Sequence, residues 1–183
     1  MARSKSEEEK MEDGDMEQDG GESIDLVEML KADHRKVQEL FTRFEDADKR
    51  TRPAIASEAL KDLEIHTALE EELVYPAIRE AIEHEDLVDQ AEEEHHVAKL
   101  LIKELQKMSA TDERFATKFK VLGELVGHHI EEEEGEIFPQ AQDSQWETEE
   151  LGQAVMKRKH KLEQKYERGG AKKASAQKRR KAA

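Results

Sequence analysis

The chain has 183 residues, no cysteine, 36% hydrophobic residues and a formal net charge of −15. This composition supports one domain with a hydrophobic core, and it excludes disulfides, thiolate ligands and thiol chemistry. No apolar run approaches the roughly 18–20 residues of a membrane span, and the polar, acidic N-terminus does not resemble a signal peptide, so we predict a cytoplasmic protein without a membrane partner.

The N-terminal segment is acidic, since residues 6–22 hold nine acids and one base. Low hydrophobicity combined with high charge predicts a disordered tail over residues 1–22. Ser23 is the predicted N-cap of the first helix. From there apolar residues recur at spacings of three and four up to about Ala47, and His34 occupies one position of this stripe.

The second helical stripe follows a turn over residues 48–53 and contains two polar residues, His66 and Glu70. Its last predicted core positions are Leu73 and Ala77. A histidine followed four residues later by a glutamate places both side chains on one face of a helix. The stripe therefore carries an imidazole and a carboxylate into the predicted core.

The third and fourth stripes repeat this arrangement. His95 lies on the third stripe, whereas its neighbour His96 shares a face with charged residues. His129 and Glu133 lie on the fourth stripe, whereas His128 lies beside glutamates. Helical phase thus predicts one core histidine and one exposed histidine in each neighbouring pair.

Four helices joined by short connections predict an all-α, up-down-up-down antiparallel four-helix bundle. The first two helices resemble the next two, so we expect two helical hairpins related by an approximate two-fold axis. A fifth helix is predicted from about Trp146 to Tyr166, which completes a folded unit over residues 23–168. Residues 169–183 are basic and predict a disordered tail.

Six polar side chains face the interior of this predicted bundle. One buried histidine is usually explained by a hydrogen bond, but four histidines in register with two glutamates need a stronger partner. Imidazole and carboxylate groups together suit iron, manganese or zinc, and bundle cores can hold two metal ions. We treat the other glutamates of 70–72 and 131–134 as surface residues. The predicted metal ligands are His34, His66, Glu70, His95, His129 and Glu133.

The pattern H…HxxxE…H…HxxxE, with the segments EELVYPAI and EEEGEIFP, resembles the hemerythrin-like HHE cation-binding domains. The resemblance covers residue 24 to about residue 140. It implies a non-haem di-iron centre with two iron ions, bridged by an oxo or hydroxo group and two carboxylates. It further implies that the four histidines are terminal ligands and that Glu70 and Glu133 are the bridging carboxylates.

The chain departs from the oxygen carriers of this family at two positions. Those carriers have a second histidine four residues after the third-helix histidine, where this chain has Lys99. They also have an aspartate five residues after the fourth-helix histidine, where this chain has Glu133 at a spacing of four. The resemblance therefore implies a four-histidine, two-glutamate variant in which reversible oxygen carriage is not expected.

Three functions are consistent with these observations. The first is a di-iron protein that reacts with oxygen, peroxide or nitric oxide in sensing, detoxification or redox handling; whether it is an enzyme stays open. The second is an iron-binding, iron-sensing or storage module without turnover, and the third is a metal-free acidic adaptor. The basic tail is compatible with contact to nucleic-acid phosphates, but it has no aromatic residue for base stacking, so we favour a solvated tail.

Overall fold

The computed structural model describes residues 25–142, 144 and 146–181, with side chains described up to residue 169. No strand occurs in this part of the chain, so the all-α prediction is confirmed. The predicted N-terminal tail and Ser23 lie outside the described residues. The elements are α1 (Leu26–Asp46), α2 (Arg52–Leu69), a first π segment (Glu70–Val74), α3 (Tyr75–Ala81), α4 (Glu85–Leu105), α5 (Glu113–Glu132), a second π segment (Glu133–Ile137), α6 (Phe138–Gln142) and α7 (Glu149–Lys181).

The bundle consists of four helical rods, of which the first is α1 and the third is α4. The second rod is the continuous run of α2, the first π segment and α3, and the fourth rod is the run of α5, the second π segment and α6. α1 packs along α2 and α4 packs along α5, while contacts of α1 with α5 and of α2 with α4 close the arrangement. This is the predicted up-down-up-down bundle.

The first helix begins later than predicted. Asp25, rather than Ser23, is the N-cap of α1, and its side chain accepts a hydrogen bond from the backbone N–H of Glu28 at 2.9 Å. Aspartate is as good an N-cap as serine, and the carboxylate adds a favourable interaction with the helix dipole. α5 begins in the same way, with Asp112 accepting from the N–H of Arg114 at 2.7 Å.

Two apolar clusters fill the bundle and leave a polar layer between them. One cluster includes Leu30 and Leu69, and the other includes Val37 and Leu63. The buried His34 and His66 lie between these pairs along the chain. Since a fully buried aliphatic side chain contributes about 1.5–3 kcal/mol, the clusters hold the helices tightly on both sides of the polar layer.

The π segments change the helical phase. Leu73 and Ala77, which were predicted to continue the second stripe, are only half-buried, and Val74, Tyr75 and Ile78 are buried in their place. A π turn contains one residue more than an α turn, so the residues after it are rotated about the helix axis. This part of the sequence prediction is therefore wrong.

The last helix is longer than predicted. α7 runs to Lys181, whereas the sequence predicted a helix to about Tyr166 and a disordered tail from residue 169. After Gly170 the sequence is rich in Ala, Lys, Arg and Gln, which have high helix propensity. As predicted, Trp146, Val155 and Leu162 are buried against the bundle. Within the described residues, no helix is long and apolar enough to cross a membrane.

Candidate metal centre

The four predicted histidines meet in two pairs at the polar layer, and each is at most 6% exposed. The Nε2 atoms of His34 and His66 are 3.0 Å apart, and those of His95 and His129 are 3.1 Å apart. Two nitrogens that each lie about 2.1 Å from one metal ion, at a right angle, are about 3 Å apart. Each pair thus has the spacing of two ligands on one ion.

The two glutamates reach from one histidine pair to the other. Glu70 Oε1 lies 3.0 Å from His66 Nε2, and Glu70 Oε2 lies 3.4 Å from His95 Nε2. Glu133 Oε2 lies 3.1 Å from His34 Nε2 and 3.7 Å from His129 Nε2. Both carboxylates are therefore placed where a ligand would bridge two ions.

The surroundings of these carboxylates fit bound cations. Glu70 and Glu133 are fully buried, and none of their four carboxylate oxygens has a hydrogen-bond partner within the described residues. An unpaired buried carboxylate costs several kcal/mol, so the oxygens need a positive partner, either a bound cation or a protonated histidine such as His66. The ligand atoms form two groups, His34–His66–Glu70–Glu133 and Glu70–His95–His129, each spanning no more than 4.8 Å.

Three of the four histidines have a carboxylate within hydrogen-bond distance of the second ring nitrogen, Nδ1. Such a contact fixes the tautomer and the ring orientation, leaving Nε2 free to bind a metal. These contacts are His34 to Glu134 at 2.7 Å, His95 to Glu71 at 3.2 Å and His129 to Glu94 at 2.9 Å. Asp33 lies 3.9 Å from His66 Nδ1, which is beyond hydrogen-bond distance.

These orienting carboxylates are not identified by the sequence pattern, which predicts that Glu71 and Glu134 are surface residues. Their side chains are only 28% and 34% exposed, because the π segments turn two consecutive residues toward the core. Each orienting acid is a sequence neighbour of a predicted ligand but contacts a histidine on another rod. An acid directly beside Glu70, His95 and Glu133 is the sequence signal that would have identified them.

The two halves of the bundle repeat the same contacts. Tyr75 stacks on His95 with ring centroids 5.4 Å apart, and Phe138 stacks on His34 at 6.1 Å. Both aromatic residues directly follow a π segment and precede a proline. The approximate two-fold relation predicted from the repeat is therefore visible around the site.

Lys99 lies four residues after His95, at the position where the oxygen carriers have an additional histidine. Its ammonium group pairs with the carboxylate of Glu71, the residue that contacts His95 Nδ1. In the other half, Lys159 of α7 pairs with Asp33 at 2.7 Å. Each half thus has a lysine that neutralises one carboxylate near a histidine.

The buried charges shift one another's pKa values. Burial alone would lower the pKa of His66, but Glu70 and Asp33 outweigh it and raise this pKa to about 10. Burial would raise the pKa of Glu70, yet His66 holds it well below its usual range. At His129, Glu94 raises the pKa against the effect of burial. Protons therefore occupy part of the site when no cation does.

A small apolar cavity of about 20 Å³ adjoins the four histidines. Val37, Leu63, Ala98 and Ile102 are among the residues that line it. A cavity of this size holds one water-sized molecule.

The exposure of the neighbouring histidines follows the predicted helical phase: His96 and His128 are exposed, whereas His95 and His129 are buried.

Comparison with known proteins adds three findings. The model of the hemerythrin HHE cation binding domain matches residues 25–141. A crystal structure of a hemerythrin HHE cation binding domain-containing protein from Mycobacterium kansasii has a TM-score of 0.65 at 24% identity, covering 76% of this chain and 87% of that one. A protein of Nostoc sp. (strain PCC 7120 / SAG 25.82 / UTEX 2576) named DNA nickase is 26% identical over 136 residues, which are 70% of this chain but only 38% of that protein.

Proposed function

This chain belongs to the hemerythrin family of HHE cation-binding domains, and we propose that its core holds two iron ions that react with oxygen, peroxide or nitric oxide. The main observation behind the proposal is that each buried carboxylate lies close to one histidine of each pair. His34 and His66 would hold one ion, His95 and His129 the other, and Glu70 and Glu133 would bridge them.

Iron is proposed because of the donor set and the small cavity. Mixed imidazole and carboxylate donors suit redox-active iron as well as manganese and zinc. Two iron ions supply one-electron and two-electron chemistry to small molecules. The cavity beside the histidines has room for a molecule about the size of water or a diatomic gas, and its small volume, bounded by residues such as Leu63 and Ile102, excludes substrates much larger than these.

This chain's own residues would orient and protect the site. Glu71 and Glu94 accept from the Nδ1–H groups of His95 and His129, which keeps each Nε2 lone pair directed at an ion. Lys99 pairs with Glu71 at the position of the carriers' extra histidine. We therefore propose sensing, detoxification or redox handling rather than reversible oxygen carriage.

A metal-binding module without turnover is the second candidate. It is favoured by the four buried carboxylate oxygens that lack hydrogen-bond partners, because a cation would satisfy them whether or not it reacts. In this case iron binding would complete the fold and serve iron sensing or storage. The two candidates differ in whether the metal-loaded protein consumes peroxide or oxygen.

Nucleic-acid contact is a separate proposal that concerns α7 rather than the metal centre. Residues 171–181 contain six Lys or Arg and no acid, and one relative is named a DNA nickase. A basic helix can neutralise phosphates, and its binding would weaken as salt rises. Duplex binding that is independent of salt, or that persists after residues 171–183 are removed, would contradict this proposal.

The main proposal is tested by metal analysis and an optical spectrum of the full-length protein purified in air. We expect about two irons per chain and near-ultraviolet absorption from a bridged ferric pair. Anaerobic reduction followed by titration with peroxide or nitric oxide should change the spectrum in proportion to the bound iron. A correctly folded chain that retains no transition metal after reconstitution would exclude both metal-binding candidates and leave the adaptor function.

A further inference from the structure

A second pocket, of about 180 Å³, opens between α4 and the fourth rod. It differs from the apolar cavity in its lining, which includes four carboxylates and no Lys or Arg. A water molecule takes up about 30 Å³ in the liquid, so the pocket has room for several waters or a hydrated cation. The carboxylates are Glu94, Glu132, Glu133 and Glu136.

The inner end of this pocket is Glu133, one of the two carboxylates of the candidate centre. Glu133 is fully buried, and both its oxygens lack hydrogen-bond partners. Exposure falls along the pocket from Glu132, whose side chain is 34% exposed, through Glu94 at 16% to Glu133 at 0%. Carboxylates therefore line the pocket from its exposed end to the centre.

A third group of ligand atoms adjoins the outer end of the pocket: Glu94 and Glu132 line the pocket, and the neighbouring His128 lies beside them. Atoms of Glu94, His128 and Glu132 lie within 4.8 Å of one another. His128 Nδ1 is 3.5 Å from Glu132 and 3.7 Å from Glu94, and its side chain is 61% exposed. Gln90 Nε2 donates to Glu132 Oε2 at 2.8 Å and holds that carboxylate in place.

The opposite half of the bundle has buried apolar residues at the corresponding positions. When His66 is aligned with His129, Ile65 corresponds to His128 and Leu69 corresponds to Glu132. Ile65 and Leu69 are buried in the same cluster as Val155 and Leu162 of α7. α7 thus covers one side of the centre and leaves the other side as a polar route to it.

We propose that this pocket is the entry port for divalent cations, and that Glu94, His128 and Glu132 form a weak third cation site at its mouth. The inference rests on the proposed metal centre, because the port leads to Glu133. A cleft lined by one sign of charge concentrates counter-ions and speeds association by about 10- to 1000-fold. An ion held at the mouth passes inward to Glu133 as it exchanges water for carboxylate oxygens.

The test is the rate at which the metal-free, full-length protein takes up Co²⁺, followed by visible absorption after rapid mixing. The port variant carries two changes, His128→Ala and Glu132→Gln. The control variant carries the same two types of change at exposed residues outside the pocket, His96→Ala and Glu131→Gln. Glu94 is left intact because it contacts His129.

We expect the port variant to bind two Co²⁺ per chain at equilibrium, as the original protein does, but to load about tenfold more slowly and to lose a weaker third binding event in calorimetry. The control variant should load at the original rate. Equal loading rates with an unchanged third event would overturn the port, and so would loss of the two inner ions in the port variant. If the original protein binds no Co²⁺ at all, the proposed centre itself fails.

Discussion

At the scale of single residues, the site depends on the acids behind the histidines. Glu71 contacts His95 and is paired with Lys99, while Asp33 lies near His66 and is paired with Lys159. A lysine on the far side stabilises the ionised carboxylate without competing for the ligand nitrogen, Nε2. Lys99 therefore has a structural role on the outer side of His95, which differs from the role of an additional metal ligand.

The neighbouring histidines on α4 provide a matched test of the ligand assignment. We expect His95→Ala to leave at most one ion per chain, because it removes a buried donor that faces the centre. His96→Ala should retain two ions, because this side chain is exposed to solvent. Metal analysis of both variants after identical reconstitution makes the comparison. If His96→Ala lost the metal and His95→Ala kept it, the ligand assignment would be wrong.

Metal binding should release protons, because His66 must lose its proton before Nε2 can bind an ion. The pKa of His66 in the metal-free protein is raised from 6.5 to about 10, so this histidine is charged at neutral pH. Between pH 7 and 8 the apparent affinity should rise about tenfold for each proton released. Proton release can be measured with an indicator dye on adding Co²⁺ in weakly buffered solution at pH 7.5.

The stability of the metal-free protein should show the opposite trend and fall as pH rises above 6.5. A raised histidine pKa contributes stability that is fully present below pH 6.5 and is lost as pH rises toward about 10. The lowered pKa of Glu70 contributes stability above pH 4.5, which is lost as pH falls through its folded value. Metal-induced stabilisation should therefore grow from pH 6 to 8. Metal binding without proton release at pH 7.5 would contradict this account.

At the scale of elements, the first π segment explains why the periodicity predicted the buried face correctly as far as Glu70 but not at Leu73 and Ala77. His66 to Glu70 is an ordinary α-helical spacing, so the core face could be deduced from the periodicity. At Glu70 the pattern of backbone hydrogen bonds changes, and the N–H of Tyr75 donates to the carbonyl of Glu70, five residues earlier. Glu71 consequently turns inward, which a fixed period of 3.6 residues does not predict.

Proline positions supply a physical reason for the π segments. Pro76 follows Tyr75 and Pro139 follows Phe138, so the second residue after each π segment has no N–H to donate to the preceding turn. In the second segment, likewise, the N–H of Phe138 donates to the carbonyl of Glu133. A glutamate pair followed by aromatic-Pro was present in the sequence, but its effect depends on how the freed carbonyls pack, which composition and periodicity do not reveal.

Two glycines of α5 give a matched prediction about helix packing. A Cβ added at Gly123 would lie 3.0 Å from the ring of Phe41 on α1, whereas a Cβ at Gly127 would meet nothing within 4 Å. Gly127→Ala should stabilise the protein by about 0.5–1 kcal/mol through helix propensity. Gly123→Ala should gain less or lose stability, because the ring must move. Denaturant unfolding of both variants tests this, and an equal gain at the two positions would refute the close packing.

At the scale of the whole molecule, α7 makes the two halves of a repeated bundle unequal. Its Arg158 forms two hydrogen bonds to Glu72, at 2.6 and 2.7 Å, and its Lys159 reaches Asp33 beside His66. The matched family model ends at residue 141, before this helix begins. The burial of Val155 in the core cluster nevertheless places α7 in contact with the second rod. The division of the chain into tails and one folded unit over residues 23–168 remains a prediction.

If α7 belongs to the same cooperative unit as the bundle, a cavity in its interface should destabilise the entire domain. Val155 is fully buried, so Val155→Ala should cost about 1–3 kcal/mol and lower the unfolding temperature by about 5 °C in a single transition. The adjacent Met156 is 43% exposed, and Met156→Ala should change the unfolding temperature by less than about 1 °C. The unfolding transitions of the metal-free variants, measured by calorimetry, show whether α7 and the bundle unfold together or separately. Val155→Ala with an unchanged main transition, or with a separate early transition, would mean that α7 docks on a bundle that folds without it.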